Sequence, residues 1–298
     1  MPLIIGEPVK LTSAPVASHF WPDVSPWSRN GRALVYVSNG NVFYQRLGRR
    51  AQQLSNTGGA FTAALSPDSS RVAFGRKDAA EKDLGLWVVE VGGEKQPRQL
   101  VDSTGDVFSA CCPTWSPDGQ WISFLQAYEG GALGITKADG TETHLGIEAA
   151  WQPLHWLPDS TTLLFPRVPY GDLPDGLWTL PVGAPKAKLL VDAGKDVQYA
   201  LSPDATRALL AVSTPSIKKP PSQSRLSLIS LPTGAAEPAT YPVTGQALHV
   251  YWSPKGDVAL LNAIGDHTEM LVSAGDLSKF QTLGEARHGA GWVHYKYK

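Results

Sequence analysis

One short motif recurs six times along the chain. It is a large apolar residue, a Ser-Pro-Asp-Gly-like turn and then an apolar stretch, as in TWSPDGQWISF from Thr114. Pro presets φ for one turn position, and Asp-Gly supplies the tight second half of the turn. The residues before the six turns, here called the anchor residues, are Trp27, Leu65, Trp115, Trp156, Leu201 and Trp252. A period of roughly 45 residues is typical of blade-like repeats.

Three further apolar stretches follow each turn, without helical periodicity. The second strands begin at Ala33, Val72, Trp121, Thr162, Ala208 and Val258, and the third at Asn41, Leu84, Ala132, Gly176, Arg225 and Glu269. The fourth are QQLS, PRQLV, THLG, AKLLV, ATYPV and FQTLG. Four short strands per repeat predict an all-β fold, a β-propeller of four-stranded antiparallel blades. We expect it to form a single domain over residues 1–298.

The two ends of the chain also read as strands. PLII and PVKLT at the N-terminus look like third and fourth strands, and GAGWVHYKYK at the C-terminus looks like the start of a blade. Pairing them would close the ring and leave no open sheet edge, so we predict seven blades with one shared between the termini. The alternative is six blades, with PVKLT added to the sixth blade and the C-terminal tail placed elsewhere.

The repeated motif resembles the WD-like repeat of the TolB-like propeller family. The resemblance covers nearly the whole chain, and similar repeats occur in periplasmic TolB and in tricorn and prolyl-oligopeptidase propellers. It implies a scaffold that binds proteins or peptides. Some copies depart from the motif: Ser28-Arg29-Asn30-Gly31 lacks Pro-Asp, Leu157 replaces Ser and Ala205 replaces Gly. These changes indicate that the motif residues serve the turn and are not a catalytic or metal set repeated six times.

Charge and hydropathy exclude some partners. The formal net charge is −1 with no block of like charges, so we expect no nucleic-acid partner. No apolar run approaches the roughly 20 residues that span a bilayer, so we expect no membrane insertion. MPLIIGEPVK lacks a secretory signal pattern, which predicts a soluble, cytoplasmic protein; the alternative is a periplasmic or secreted mature form with its leader removed. We also expect a monomer.

Catalytic and cofactor motifs are missing from the sequence. It contains no Gly-x-Ser-x-Gly elbow, no His-Glu-x-x-His and no phosphate or dinucleotide loop, so we predict no catalytic residue, no cofactor and no metal.

The neighbouring Cys111 and Cys112 are expected to be a small apolar strand element, because adjacent cysteines seldom form a disulfide.

Polar residues near the anchor residues are candidates for lining a central channel. They are His155, His249, Tyr251, Thr114 and Gln198, all on predicted innermost strands. Alternate residues of a strand share one face, so these side chains could reach the channel. A metal or catalytic histidine pair is one interpretation; polar residues that hydrate the channel are the other.

Loop lengths point to a binding face. In an up-and-down blade, the connections from strand two to three and from one blade to the next leave on the same side, and the long segments belong to these sets: Arg76 to Asp83, Val101 to Ala110, Arg167 to Asp175 and Ser213 to Ser224. Loops on a rigid scaffold usually carry recognition. The candidate binding residues are Phe108, Trp151, Tyr170, Asp172, Lys218, Lys219 and Lys82.

Three functions remain open from the sequence. The first is a non-enzymatic propeller that binds a protein or peptide partner through the long-loop face. The second is a hydrolase or lyase that acts at the mouth of the central channel. The third is an accessory propeller of a larger peptidase-type assembly. A cluster of ionisable groups would favour the second, and a broad apolar patch would favour the first or third.

Overall fold

The structure is a computed structural model of the 298-residue chain. It describes residues 26–93, 96–103, 110–126, 131–146, 154–167, 176–192, 197–214, 223–231, 233–244, 246–253, 255–264, 268–273 and 275–285. The terminal segments that would form a shared seventh blade lie outside these residues, so seven-blade closure and the single domain over 1–298 stay predictions.

The described residues form short strands joined by turns. The strands are β1 Ala33–Ser38, β2 Asn41–Arg46, β3 Gln52–Gln53, β4 Ala60–Leu65, β5 Arg71–Lys77, β6 Asp83–Glu90, β7 Arg98–Val101, β8 Ala110–Trp115, β9 Trp121–Gln126, β10 Ala132–Lys137, β11 Thr143–His144, β12 His155–Trp156, β13 Thr162–Pro166, β14 Gly176–Pro181, β15 Lys188–Asp192, β16 Val197–Leu201, β17 Arg207–Thr214, β18 Gln223–Ser230, β19 Ala236–Thr244, β20 Gln246–Trp252, β21 Val258–Ile264, β22 Thr268–Ser273 and β23 Asp276–Glu285. In this part of the chain no helix could cross a membrane.

The strands pair in sequence order within each sheet. Over the described ranges there are six sheets, of which five have four strands and the first has three, β1 to β3. A bridge between Trp27 and Leu34 stands where the first strand of that sheet is expected. Neighbouring strands are antiparallel; for example, Thr162 to Pro166 of β13 pair with Pro181 to Leu177 of β14. The predicted four-strand repeat is therefore confirmed.

The chain divides into two compact units. The first comprises Met1–Tyr128 with Gly134–Thr143, and the second Glu129–Leu133 with His144–Lys298. The first unit holds most of the three sheets that begin with β1, β4 and β8, and the second holds the sheets that begin with β12, β16 and β20.

Apolar cores lie between consecutive sheets of each unit. In the first unit one core joins β1 and β5 residues such as Val35 and Phe74, and another joins Leu86 with Phe124. In the second unit Leu164 packs with Leu210, and Leu226 packs with Leu261. The aromatic side chains of the second strands are buried: Tyr36, Phe74, Phe124 and Phe165. Because each sheet covers its neighbour, a blade that is unstable alone is stabilised by stacking.

Two Arg-Trp pairs tie consecutive sheets together. The Trp115 indole donates to the Ala64 carbonyl at 3.1 Å, and the Trp252 indole donates to the Ala200 carbonyl at 2.8 Å. The guanidinium of Arg71 lies 4.9 Å from the Trp115 ring, and that of Arg207 lies 5.5 Å from the Trp252 ring. Trp115 and Trp252 thus each combine apolar burial, a hydrogen bond and a cation-π contact.

Each repeated turn is held by its own side chains. In the second copy, Ser66 Oγ donates to Asp68 Oδ1 at 2.6 Å and accepts from the Arg71 amide at 2.9 Å. Asp68 Oδ1 also accepts from the Ser70 amide. The same arrangement recurs at Ser116 with Asp118 and at Ser202 with Asp204.

In the copies that depart from the motif, other side chains make the hydrogen bonds that hold the turn. In the first, the Asn30 side-chain oxygen accepts from Ser28 Oγ at 2.9 Å. Where Leu157 replaces Ser, the Thr162 hydroxyl binds Asp159 at 2.6 Å. In the sixth, Ser253 Oγ donates to Asp257 at 2.6 Å. The last turn residue has positive φ in every copy: Gly31, Ser69, Gly119, Ser160, Ala205 and Gly256.

Cys111 and Cys112 correct one expectation. They were predicted to be a small apolar element without a disulfide, whereas the structure joins them by one, with Cα atoms 3.7 Å apart. The local backbone makes this possible, because Cys112 has φ of 59° and β8 shifts its register against β9 between Cys111 and Thr114. The pair does lie on a strand, as expected, and Cys112 is buried.

Candidate functional site

The two ends of each sheet differ in the connections that they carry. At one end, here the short-turn end, lie the turns from first to second and from third to fourth strand. At the other, here the long-connection end, lie the connections from second to third strand and from one sheet to the next. The antiparallel order of each four-stranded sheet fixes this separation, so the predicted long segments do leave from a common end of their sheets.

The polar groups of the first-to-second turns are already engaged. Hydrogen bonds from the Ser66 and Ser70 hydroxyls lower the pKa of Asp68 to about 2, aided by the charge of Arg71. The Ser202 hydroxyl, followed by the Thr206 amide, lowers the pKa of Asp204 in the same way. A carboxylate that is held by its own turn is a poor group for binding a partner, because an external donor would have to displace existing bonds.

At the long-connection end of the first unit, Arg76 of β5 fastens the connection between β3 and β4 to its own strand. Its Nε donates to the Gly58 carbonyl and its Nη2 to the Thr57 carbonyl, both at 3.1 Å. The guanidinium also lies 5.0 Å from the Trp87 ring. Gly59 is packed so closely on the Lys77 backbone that a side chain there would clash. This part of the face is therefore a rigid support.

Lys82 lies in a turn that its own backbone closes. The Asp78 carboxylate accepts from the Lys82 amide at 2.9 Å and from the Ala80 amide at 2.8 Å. The Asp78 amide donates back to the Lys82 carbonyl at 2.8 Å. The Lys82 side chain is exposed, as the sequence predicted. The structure thus presents its ammonium on a closed loop at the long-connection end.

The other six candidate binding residues lie outside the described residues. They are Phe108, Trp151, Tyr170, Asp172, Lys218 and Lys219. In the sequence, each falls between two sheets or between a second and a third strand, and their place on the long-connection face stays a prediction.

The candidate channel residues lie on first strands, as predicted. Thr114 is on β8, His155 on β12, Gln198 on β16, and His249 and Tyr251 are on β20. Thr114, His155, Gln198 and Tyr251 are half-buried. At His249 the backbone alone is described. The structure brings none of the described members together as a metal site, because it has no group of three ligating side chains in its described part.

His155 packs against the next sheet. Its ring meets the Tyr199 ring edge-on, with centroids 5.2 Å apart. Burial lowers the pKa of His155 to about 4, because desolvation disfavours the charged imidazolium. At neutral pH the imidazole is therefore uncharged. In this form it can accept a proton or bind a metal through one ring nitrogen.

Tyr199 was missed by the sequence analysis. Its hydroxyl donates to the Leu164 carbonyl of the preceding sheet at 2.8 Å. In its repeat the anchor is Leu201, which cannot make the hydrogen bond that Trp115 and Trp252 make. A Tyr two residues before a Leu anchor, on the same strand face, was the available signal.

Comparisons with known proteins identify the fold. No protein-family model matches the chain, and no curated protein is similar to it in sequence. An oligogalacturonate lyase solved in complex with manganese matches over 94% of this chain and 80% of its own, with 14% identity and a TM-score of 0.66.

Two TolB structures are also similar to this chain. A TolB-type protein of Agrobacterium tumefaciens shares 19% identity over 79% of this chain and 87% of its own, with a TM-score of 0.53. TolB of Acinetobacter baumannii shares 13% over 83% of this chain and 59% of its own, with a TM-score of 0.51. Together with the repeated antiparallel sheets, these matches show an all-β, TolB-like β-propeller fold. The same fold carries an enzyme in one neighbour, so fold alone does not decide function.

Proposed function

We propose that this protein is a non-enzymatic propeller that binds a protein or peptide partner through the long-connection face. One observation carries the proposal: the two ends of each sheet are built differently. The turn residues of the short-turn end use their polar groups internally, whereas the longest connections, β7 to β8, β11 to β12, β13 to β14 and β17 to β18, belong to the other end. Recognition is expected where variable connections rest on a rigid support.

The candidate residues suggest the character of the partner. Phe108, Trp151 and Tyr170 supply aromatic surface, and Lys82, Lys218 and Lys219 supply positive charge. Aromatic residues dominate the energetics of many interfaces, whereas charges at a rim guide association and orientation. We therefore infer a partner surface that is partly apolar and carries carboxylates.

The test is affinity capture with matched variants. The face variant carries Tyr170→Ala, Lys218→Ala and Lys219→Ala. The control variant carries Leu47→Ala, Arg49→Ala and Arg50→Ala, one large apolar and two cationic residues that are exposed between β2 and β3 at the short-turn end. Both must first show the wild-type circular dichroism spectrum and melting temperature.

We expect the affinity capture to find a protein that wild type and the control variant retain and that the folded face variant does not retain. Once purified, that protein should bind wild type and the control variant directly, and should bind the face variant more weakly. Equal retention by all three proteins would contradict the face assignment. A captured peptidase would identify the accessory-propeller alternative as the specific form of the same binding function.

A second candidate function is a lyase or hydrolase at the channel mouth. Two observations favour it: the similarity in fold to an oligogalacturonate lyase, and a half-buried histidine on a first strand, His155. A neutral imidazole can accept a proton from a substrate carbon or water.

Incubation with oligogalacturonates and Mn²⁺ tests this second function. Elimination would form a conjugated unsaturated product that absorbs in the ultraviolet. A His155→Gln variant should lose the activity while the face variant keeps it. If wild-type protein forms no such product with or without Mn²⁺, this oligogalacturonate lyase function is excluded.

A further inference from the structure

The disulfide between Cys111 and Cys112 lies where a long connection enters an innermost strand. The connection from β7 to β8 leads into Ala110, which is the first residue of β8 and lies directly before the pair. Ala110 is fully buried, and its carbonyl lies against Gly75 of β5 so closely that a side chain on Gly75 would clash. The backbone at this point is therefore tightly held between two sheets.

The disulfide coincides with an irregular backbone. Cys111 pairs with Leu125 and Thr114 pairs with Ser123, so Cys112 and Pro113 together face one residue of β9. Cys112 has φ of 59°, in the left-handed region that residues other than glycine rarely adopt. A covalent link between the two side chains restricts the backbone between them and can hold it in this conformation.

We propose that Cys111 and Cys112 form a redox-reactive site whose oxidation state sets the conformation of β8. In the oxidised form the disulfide holds Cys112 at positive φ and fixes the bulge. In the reduced form Cys112 is free to return to the extended region that other strand residues adopt, which changes the register of the strand start against β9.

The expected co-reactant is a dithiol reductant. Cys111 is half-buried and Cys112 only 1% exposed, so the reductant thiolate attacks the Cys111 sulfur and the Cys112 thiolate leaves and takes up a proton. The second thiol of the reductant then displaces Cys111 as a thiol. Two electrons and two protons pass to the pair, and the reductant becomes a disulfide. An oxidising compartment would favour the bridged form and a reducing cytosol the dithiol.

The strand start also bears on binding. The connection that ends at Ala110 contains Phe108, a residue of the proposed binding face. A register change at Cys112 would move the attachment point of that connection. This consequence rests on the proposed function, whereas the redox chemistry and the change in β8 do not, and the two are tested separately.

Thiol alkylation and hydrogen exchange test the proposal without any partner. Protein prepared under air should accept no alkylating groups before dithiothreitol and two after it, as measured by mass spectrometry. Backbone amides of β8 and β9 should exchange about tenfold faster after reduction, because the fixed bulge is released. Amides of β20 and β21 serve as the internal control and should not change.

Two double variants separate the bond from the backbone conformation. In Cys111→Ser/Cys112→Gly, glycine adopts positive φ without a disulfide, so exchange in β8 should stay slow with and without reductant. In Cys111→Ser/Cys112→Ser it should be fast in both conditions. Alkylation of both cysteines in air-exposed protein, or equal exchange in the oxidised and reduced wild type, would overturn the proposal. If the serine variant does not fold, alkylation and hydrogen exchange of the oxidised and reduced wild type are sufficient to test the proposal.

Discussion

At the residue scale, the repeated turn depends on a few chemical requirements that different residues can meet. One is an oxygen two residues after the leading Ser, supplied by Asp68 in one copy and by the amide of Asn30 in another. Another is a residue that tolerates positive φ, which is glycine in three copies, serine in two and Ala205 in one. Sequence departures at these positions change the stability of a turn without removing it.

The positive-φ position predicts reciprocal stability changes. Ala205→Gly should raise the free energy of unfolding by about 0.5–1 kcal/mol, because glycine has no Cβ to penalise the left-handed region. Gly119→Ala should lower it by about 1 kcal/mol, since its surroundings leave room for a methyl group and only φ opposes it. Urea denaturation measures both, and changes of the same sign would contradict the explanation.

Asp68 predicts a pH dependence of stability. Its pKa in the folded protein is about 2, below the value of about 3.9 in an unfolded chain. The ionised carboxylate therefore stabilises the fold above pH 4, and this contribution is lost as the pH falls through 2. Asp68→Asn, which keeps an oxygen as Asn30 does, should reduce the fall in unfolding free energy between pH 4 and pH 2. If urea titrations show the same fall in unfolding free energy between pH 4 and pH 2 for Asp68→Asn as for wild type, this role of Asp68 is contradicted.

At the element scale, two of the contacts between consecutive sheets join the first residue of a second strand to the anchor residue of the next repeat. Where the first residue of the second strand is Arg, as at Arg71 and Arg207, the anchor of the next repeat is Trp. Where that residue is Ala33, the next anchor is Leu65. Arg71 with Trp115 and Arg207 with Trp252 therefore form matched pairs across the boundary between sheets, whereas Trp156 follows a Trp, Trp121, at the same position.

A double-mutant cycle tests this pairing. Arg71→Ala and Trp115→Leu should each destabilise the protein, and the double variant should cost about 0.5–2 kcal/mol less than the sum. The matched control combines Arg71→Ala with Trp252→Leu, since Arg207 is the residue that stacks on Trp252. That combination should be additive within about 0.5 kcal/mol. Equal coupling in both cycles would contradict a specific pair.

Strand order and turn chemistry could be predicted because they are local. Each SPDG-like turn specifies its own geometry, and the apolar stretches on either side repeat the same pattern. The contacts of His155 with Tyr199 could not be predicted, because they depend on how one sheet packs on the next. The bond between Cys111 and Cys112 was missed since a positive φ at a non-glycine strand residue leaves no mark in the sequence. Long connections could be located, but the arrangement of their side chains could not.

At the scale of the whole molecule, the fold is a TolB-like propeller, and the closure of its ring can be tested by truncation. If the two ends of the chain share a seventh blade, deletion of residues 289–298 should expose sheet edges and lower the melting temperature by about 5 °C or more. Removal of the N-terminal strand residues as well should add little, because both segments would belong to one blade. An unchanged melting temperature after the first deletion would favour six blades.

The most direct test of the central claim is the affinity of the captured partner for three purified proteins. The face variant Tyr170→Ala/Lys218→Ala/Lys219→Ala should bind at least about tenfold more weakly than wild type in calorimetry, whereas Leu47→Ala/Arg49→Ala/Arg50→Ala should bind equally well. Lys82→Ala, at the described part of the same face, should weaken binding to a smaller extent. If the short-turn variant loses affinity and the face variant keeps it, the binding face is wrongly assigned.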